Sequence, residues 1–151
     1  MTARPRGSGP RGDEGNAIVE FLGTALLLLV PVVYLVLVLG RLQAATFAVD
    51  GAAREAARTI VSAQDESEAD RRALATVGLA LADQGVDADP ADVTVVTCDP
   101  ACLEPGATVT VRVAVVVPLP GVPGWLQGAV PLSVPVSATS TAVVDSYVAA
   151  P

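Results

Sequence analysis

The chain contains no histidine and no lysine, and only 3% of its residues are aromatic. Losing His removes the side chain most often used for proton transfer near neutral pH and for holding metals. The two cysteines, Cys98 and Cys102, have no His and no second Cys pair with which to complete a tetrahedral zinc site. There is no Gly-x-Ser-x-Gly elbow and no Gly-rich phosphate loop. Asp65, Glu66, Glu68, Asp70, Asp83, Asp87, Asp89 and Asp92 stand in helix-start and linker settings, where carboxylates are solvated. No pair of them has a spacing that demands a catalytic site. Neither an enzyme nor a bound cofactor or metal is expected. Residues 61–151 carry eleven acids against three arginines, a balance of −8 that repels phosphate backbones and argues against a nucleic-acid partner. With so few aromatics, Ala, Val and Leu must build the core.

Charge is also missing from one long run. Phe21 to Leu39 holds no ionisable side chain with a charge at neutral pH, and Gly40 extends the run before Arg41. At 1.5 Å per residue, about 20 helical residues cross a hydrocarbon core of about 30 Å. A soluble helix of this length without a polar face would be unusual, so a single transmembrane helix over 16–40 is predicted. Arg4, Arg6 and Arg11 precede the run and favour a cytoplasmic amino terminus, while Arg41, Arg54 and Arg58 follow it and weaken the contrast. The domain beyond is therefore expected outside the membrane. A secretory signal fits less well: its apolar core is shorter, its cut follows that core, and Leu42-Gln43-Ala44 is a poor small-x-small match. Pro31, near the middle of the span, predicts a kink or local unwinding. That is either ordinary membrane-helix tolerance or a flexible point used when a subunit leaves the bilayer.

The junction into this run is Gly15-Asn16-Ala17-Ile18-Val19-Glu20-Phe21. An Arg-bearing leader, 1–15, ends in Gly, and a lone carboxylate follows five residues later at the start of the apolar segment. Ionisable groups cost roughly 2.5–3.5 kcal/mol at the centre of a membrane helix, so Glu20 needs a reason to be there. The pattern resembles the processing site of type IV pilins and pseudopilins. The resemblance implies a prepilin peptidase that cuts after Gly15, leaving Glu20 as the fifth mature residue, able to pair with a neighbouring subunit's amino terminus. Farther on, Ala52-Ala53-Arg54-Glu55-Ala56-Ala57-Arg58 is similar to the Ala-Ala-Arg-(Glu/Gly)-Ala-Ala-Arg segment of TadE-like proteins, minor pseudopilins of tight-adherence (Flp) pilus systems. As bare composition, it is also a simple Ala-rich amphipathic helix. The resemblance implies a membrane protein with its amino terminus in the cytoplasm, partnered by the lipid bilayer, a prepilin peptidase, other pilins and an assembly platform. The alternative is an uncleaved single-pass membrane protein whose outer domain binds something at the cell envelope.

Beyond Gly40 a helical extension is expected over 41–63. Leu42, Thr46, Val49, Ala53, Ala56 and Ile60 form its apolar stripe, with Asp50–Arg54 and Glu55–Arg58 pairs outside. A domain over 64–151 follows. Its helix runs from about Ser67, as cap, to Gln84, stopped by Gly85, with Leu74, Val77 and Leu81 facing inward. Gly78 inside that helix predicts close packing against another element, and Asp87 to Pro90 reads as a polar connection. From Val93 the period becomes two. One strand alternates over 93–98, a second through Val109, Val111, Val113, Val115 and Val117, and a third, less cleanly, over 132–144. Pro135 restricts the third strand to an edge or breaks it. Trp125, in the Pro- and Gly-rich loop between the last two strands, reads as an anchor on the sheet or an interfacial contact. Cys98 and Cys102 read as a local disulfide if the domain is extracytoplasmic, and as free thiols if it is not. The fold class is α+β on a long amino-terminal helix.

Overall fold

The computed structural model describes residues 13–121 and 132–146, with side chains described from residue 17 onward. Arg4, Arg6, Arg11 and Trp125 lie outside the described residues, as does the side chain of Asn16. The elements, in order, are α1 (Asp13–Val61), α2 (Glu66–Asp83), α3 (Pro90–Val93), β1 (Thr94–Asp99), β2 (Thr108–Pro118) and β3 (Ser133–Val143). The architecture is α+β, with a three-stranded antiparallel sheet in the order β1-β2-β3. The chain divides into two compact units between Leu37 and Val38.

The first unit is the amino-terminal part of α1. Its Leu and Val side chains are exposed on every side of the helix; Leu27, for example, is 75% exposed. The mean hydropathy of its most apolar window is 2.7, and none of that window is buried against protein. It is long and apolar enough to cross a membrane. The backbone stays α-helical through Pro31, so the local unwinding expected there does not occur. Proline still lacks the N–H that would bond to the Leu27 carbonyl.

The second unit begins with the rest of α1. Ala45, Ala48, Val49, Ala52, Ala53, Ala56, Ala57 and Ile60 are buried there, in one core with Ala69, Ala73, Val77 and Leu81 of α2 and the five inward valines of β2. The inward face is broader and more alanine-rich than the expected stripe, and Thr46 is not part of it. Thr46 is exposed, its hydroxyl donating to the Leu42 carbonyl at 2.8 Å. On the outer side Arg54 bridges Asp50 at 2.9 Å. The expected Glu55–Arg58 pair is absent among the described residues, and the second ion pair is Arg72–Glu68 at 2.7 Å.

Helix α2 starts earlier than expected because its cap is Asp65, not Ser67. Asp65 is extended (φ −142°, ψ 158°) and its carboxylate accepts from the Glu68 N–H. The Ser67 hydroxyl instead donates to the same carboxylate at 2.7 Å. Glu68 reaches back to accept from the Gln64 N–H at 3.3 Å, so the start resembles a capping box shifted by one residue. Leu74 is only half-buried, and Ala69 and Ala73 complete the inward stripe with Val77 and Leu81. At the other end Gly85 takes φ +67°. Its N–H donates to Ala82 O at 2.9 Å, and Val86 N–H donates to Leu81 O at 2.9 Å, the paired bonds of a Schellman stop.

Residues 90–93, expected as the end of a connection and the start of a strand, form the single helical turn α3. Asp89 caps it by accepting from the Ala91 N–H at 2.9 Å. Pro90 opens it, where its missing N–H costs nothing. A Cβ on Gly78 would stand 3.0 Å from the Pro90 ring, which is the close approach its glycine anticipates.

The central strand β2 buries Val109, Val111, Val113, Val115 and Val117 on one face. Its partner β3 alternates as cleanly in burial, although its sequence does not. By contrast β1 is barely covered: Val95 is 60% exposed, and only Thr94 and Cys98 are half-buried. Pro135 lies opposite Val116 on β3, which is an edge strand. Val144 N–H donates to Ala107 O and Leu119 N–H to Leu132 O. These two bonds put the rungs at even positions of β3, so the Pro135 nitrogen faces the free edge, where no donor is needed.

Candidate membrane anchor and processing site

Gly15 and Asn16 lie in the first turn of α1, which starts at Asp13. The first four N–H groups of a helix have no intrahelical acceptor, so unwinding this turn to present a peptide bond sacrifices few hydrogen bonds. Glu20 follows one turn later. It is exposed between Val19 and Phe21, which are 68% and 71% exposed. Among the described residues Glu20 has no ion-pair partner. Glu20 stands about two turns inside the helix, beyond the first turn in which the helix dipole favours a carboxylate. The cost of taking its charge into lipid therefore stands uncompensated within the helix. Gly40 leaves open space where a Cβ would stand, and the helix passes through it uninterrupted into Arg41.

The alanine-arginine segment divides cleanly. Ala53, Ala56 and Ala57 are buried, while Arg54, Glu55 and Arg58 are exposed. Small side chains at four inward positions, Ala52 included, let α1 lie close to its neighbours in the core, so the segment has a packing role in this domain. Cys98 and Cys102 form a disulfide with their Cα atoms 4.8 Å apart. It ties the end of β1 to the start of the loop that leads to β2. Gly15, Asn16, Glu20 and Phe21 fall in the first unit, and the alanine-arginine segment and the disulfide in the second.

Sequence reasoning missed a cavity of about 490 Å³ in the second unit. Its lining includes Arg41 and Ala44 of α1, Gly85 and Asp87 at and beyond the end of α2, and Val116 and Pro118 of β2. Arg41 and Asp87 are the charged residues on it. The Schellman stop at Gly85 was legible and turns the chain here, but nothing in the sequence joined it to Arg41 or to Pro118. Among the described residues no three His, Cys, Asp or Glu side chains cluster as metal ligands. At the acidic start of α2, the Asp65 carboxyl is held below its ordinary value of 3.8 by the Ser67 hydroxyl first, then by the Glu68 N–H and the Arg71 charge.

No protein-family model, no curated protein and no solved structure matches the chain.

Proposed function

We propose that the protein is a TadE-like minor pseudopilin, anchored by α1, cut by a prepilin peptidase between Gly15 and Asn16, and used in assembling an Flp-type pilus or a related export structure. The observation that carries this reading is the fixed offset from Gly15 to Glu20 at the boundary of an uncharged helical run. An Arg-bearing leader, a small residue at the cut and a lone acid just inside the span are what such processing needs. The cut would leave Asn16 as the new amino terminus and put Glu20 in the first turn of the mature helix. There a protonated amine from a neighbouring subunit could offset the burial of its charge. Partners in this reading are the peptidase, other pilins or pseudopilins, the assembly platform and the bilayer. The carboxy-terminal domain would be extracytoplasmic, the compartment in which a Cys98–Cys102 disulfide persists.

Intact-mass analysis of the membrane-extracted protein tests the reading. Cleavage removes three arginines and two acids, leaving 136 residues with a net charge of −8 in place of −7. A mature chain beginning at Ala45 would mean signal-peptidase release, and an uncut chain would leave a membrane-anchored binding protein.

A further inference from the structure

We infer that the Cys98–Cys102 disulfide is a redox-sensitive latch on β1: it holds the far end of this strand against β2, and its reduction by a dithiol releases that end while the rest of the domain stays folded. The inference stands on the sheet and the disulfide, both in the second unit, and does not depend on the membrane reading of α1. Strands are ordinarily kept in place by the side chains they bury. No residue of β1 belongs to the buried core, whereas β2 gives it five valines. Val96, on the inward side with Val111, is 36% exposed, and Val95, on the outer side with Arg112, is 60% exposed. Of β1 only Cys98 packs, partly buried, against the core, and it is one of the two bridged residues. A buried face fixes a strand's register, and a strand open on both faces lacks that constraint. What aligns β1 is therefore its two ends.

The first end is anchored by packing. Thr94 is the C-cap of α3, and Val93 just before it packs against the core. The other end is held by the bridge. The loop after β1 is folded on itself, Glu104 N–H donating to Ala101 O at 3.4 Å and Ala107 N–H to Glu104 O at 2.9 Å. Cys102 stands inside this turn and Cys98 in the strand, so the bridge ties the two together across residues 99–101. Both cysteines are half-buried and so partly open to solvent. A dithiol opens the bridge by exchange: one thiolate attacks a cysteine sulfur, and the second thiol resolves the mixed disulfide. Two electrons and two protons pass to Cys98 and Cys102, and the dithiol closes to a disulfide. Residues 99–101 then become a free hinge, and the Thr97–Thr110 and Asp99–Thr108 pairs lose the tie that aligns them.

The sheet supplies its own reporters. Val144 N–H donates to Ala107 O and Leu119 N–H to Leu132 O, so odd-numbered residues of β2 bond to β3 and even-numbered ones to β1. Each β2 amide therefore reads one side only. The test is hydrogen exchange by NMR on the full chain in detergent micelles, oxidised and after dithiothreitol, with mass spectrometry confirming that the bridge is fully reduced. Reduction is expected to speed exchange at Thr97 and Thr110 by about tenfold or more, and at Val109 and Val111 by less than about twofold. Reoxidation should restore the first pair. Cys98→Ser with Cys102→Ser should exchange like the reduced protein, with or without dithiothreitol, which assigns the effect to the bridge and not to the reagent. If all four amides accelerate together, the bridge supports the whole sheet and the latch is refuted. If Thr97 and Thr110 keep their oxidised rates after full reduction, the ladder alone holds β1, and the latch is again refuted. A double variant that still responds to dithiothreitol also overturns it.

Discussion

Replacing Ala53 with Leu tests the packing role assigned to the alanine-arginine segment. Ala53 has no exposed surface and sits on α1 in the core shared with α2 and β2. Its neighbours on the inward face of α1 are Ala52, Ala56 and Ala57, with Val49 and Ile60 one turn before and two turns after. The helix surface here is therefore nearly flat and has no gap for three more carbons. Adding them forces α1 away from its neighbours or drives the new side chain off its rotamer, at about 1–3 kcal/mol. A small domain loses roughly 4–8 °C of Tm per kcal/mol, so the midpoint should fall by about 5–20 °C. The assay is thermal unfolding of the full chain in detergent, followed by far-ultraviolet circular dichroism. Arg54→Leu places the same apolar side chain one residue away at an exposed position and should move the midpoint by no more than about 2 °C, since surface changes cost little. Equal behaviour of the two variants would refute the argument, because it would mean that the inward alanines are not there for close approach.

Glu20→Ala should leave membrane insertion intact or improve it, and should impair pilus assembly at unchanged expression; normal piliation by electron microscopy sinks the role given to Glu20. Gly85→Ala should destabilise α2 by about 1–2 kcal/mol, since φ +67° strains an L side chain although the space around it is open, and Gly85→Asn should recover part of that in urea unfolding. Cys98→Ser with Cys102→Ser should cost less than the roughly 3 kcal/mol of a 15-residue loop, because so short a link removes little chain entropy. Thiol labelling of whole cells without reductant should find both cysteines blocked, and labelling that appears only on permeabilisation overturns the topology. The lowered pKa of Asp65 means that its carboxylate favours the folded helix above pH 3.8, and that this contribution is lost as pH falls through the lower folded value. An acid titration of helix content should therefore flatten in Asp65→Asn below about pH 4.

The elements that sequence made legible are those with one dominant local cause. The valines of β2 alternate because a central strand has one face on the core, and period two survives in the sequence when every inward residue is the same type. Gly85 was legible because only a positive φ needs glycine there, and Pro135 because a missing donor has to face a free edge. The failures share the opposite property. Ser67 and Asp65 are both competent caps, two residues apart, and in the observed start Asp65 accepts from the Glu68 N–H while Glu68 bonds back to Gln64. Turn α3 is shorter than one period of any hydrophobic pattern, although Asp89-Pro90 carried the cap signature for it. Thr46 fell in the apolar stripe by spacing alone, while alanines, which carry little hydrophobic signal, form most of the buried face. The cavity at Arg41 unites residues from three elements distant in sequence, and no local rule reaches that far.

The two sheet edges are protected by different means, and the difference bears on a chain proposed to sit among copies of itself. The β3 edge is eleven residues long, long enough to template another strand, but Pro135 removes a donor from it where a new ladder would form. The β1 edge is six residues long, ends in the disulfide loop at one side and gives way to the α3 turn at the other. Shortness, not proline, limits it. Beyond Thr94 the β1 side of Ala114 and Val116 has no strand beside it, since the register stops at Val113. Val116 also lines the cavity with Arg41 and Gly85. If copies of the chain crowd side by side in a membrane, neither edge offers a long unbroken ladder for pairing through the sheets.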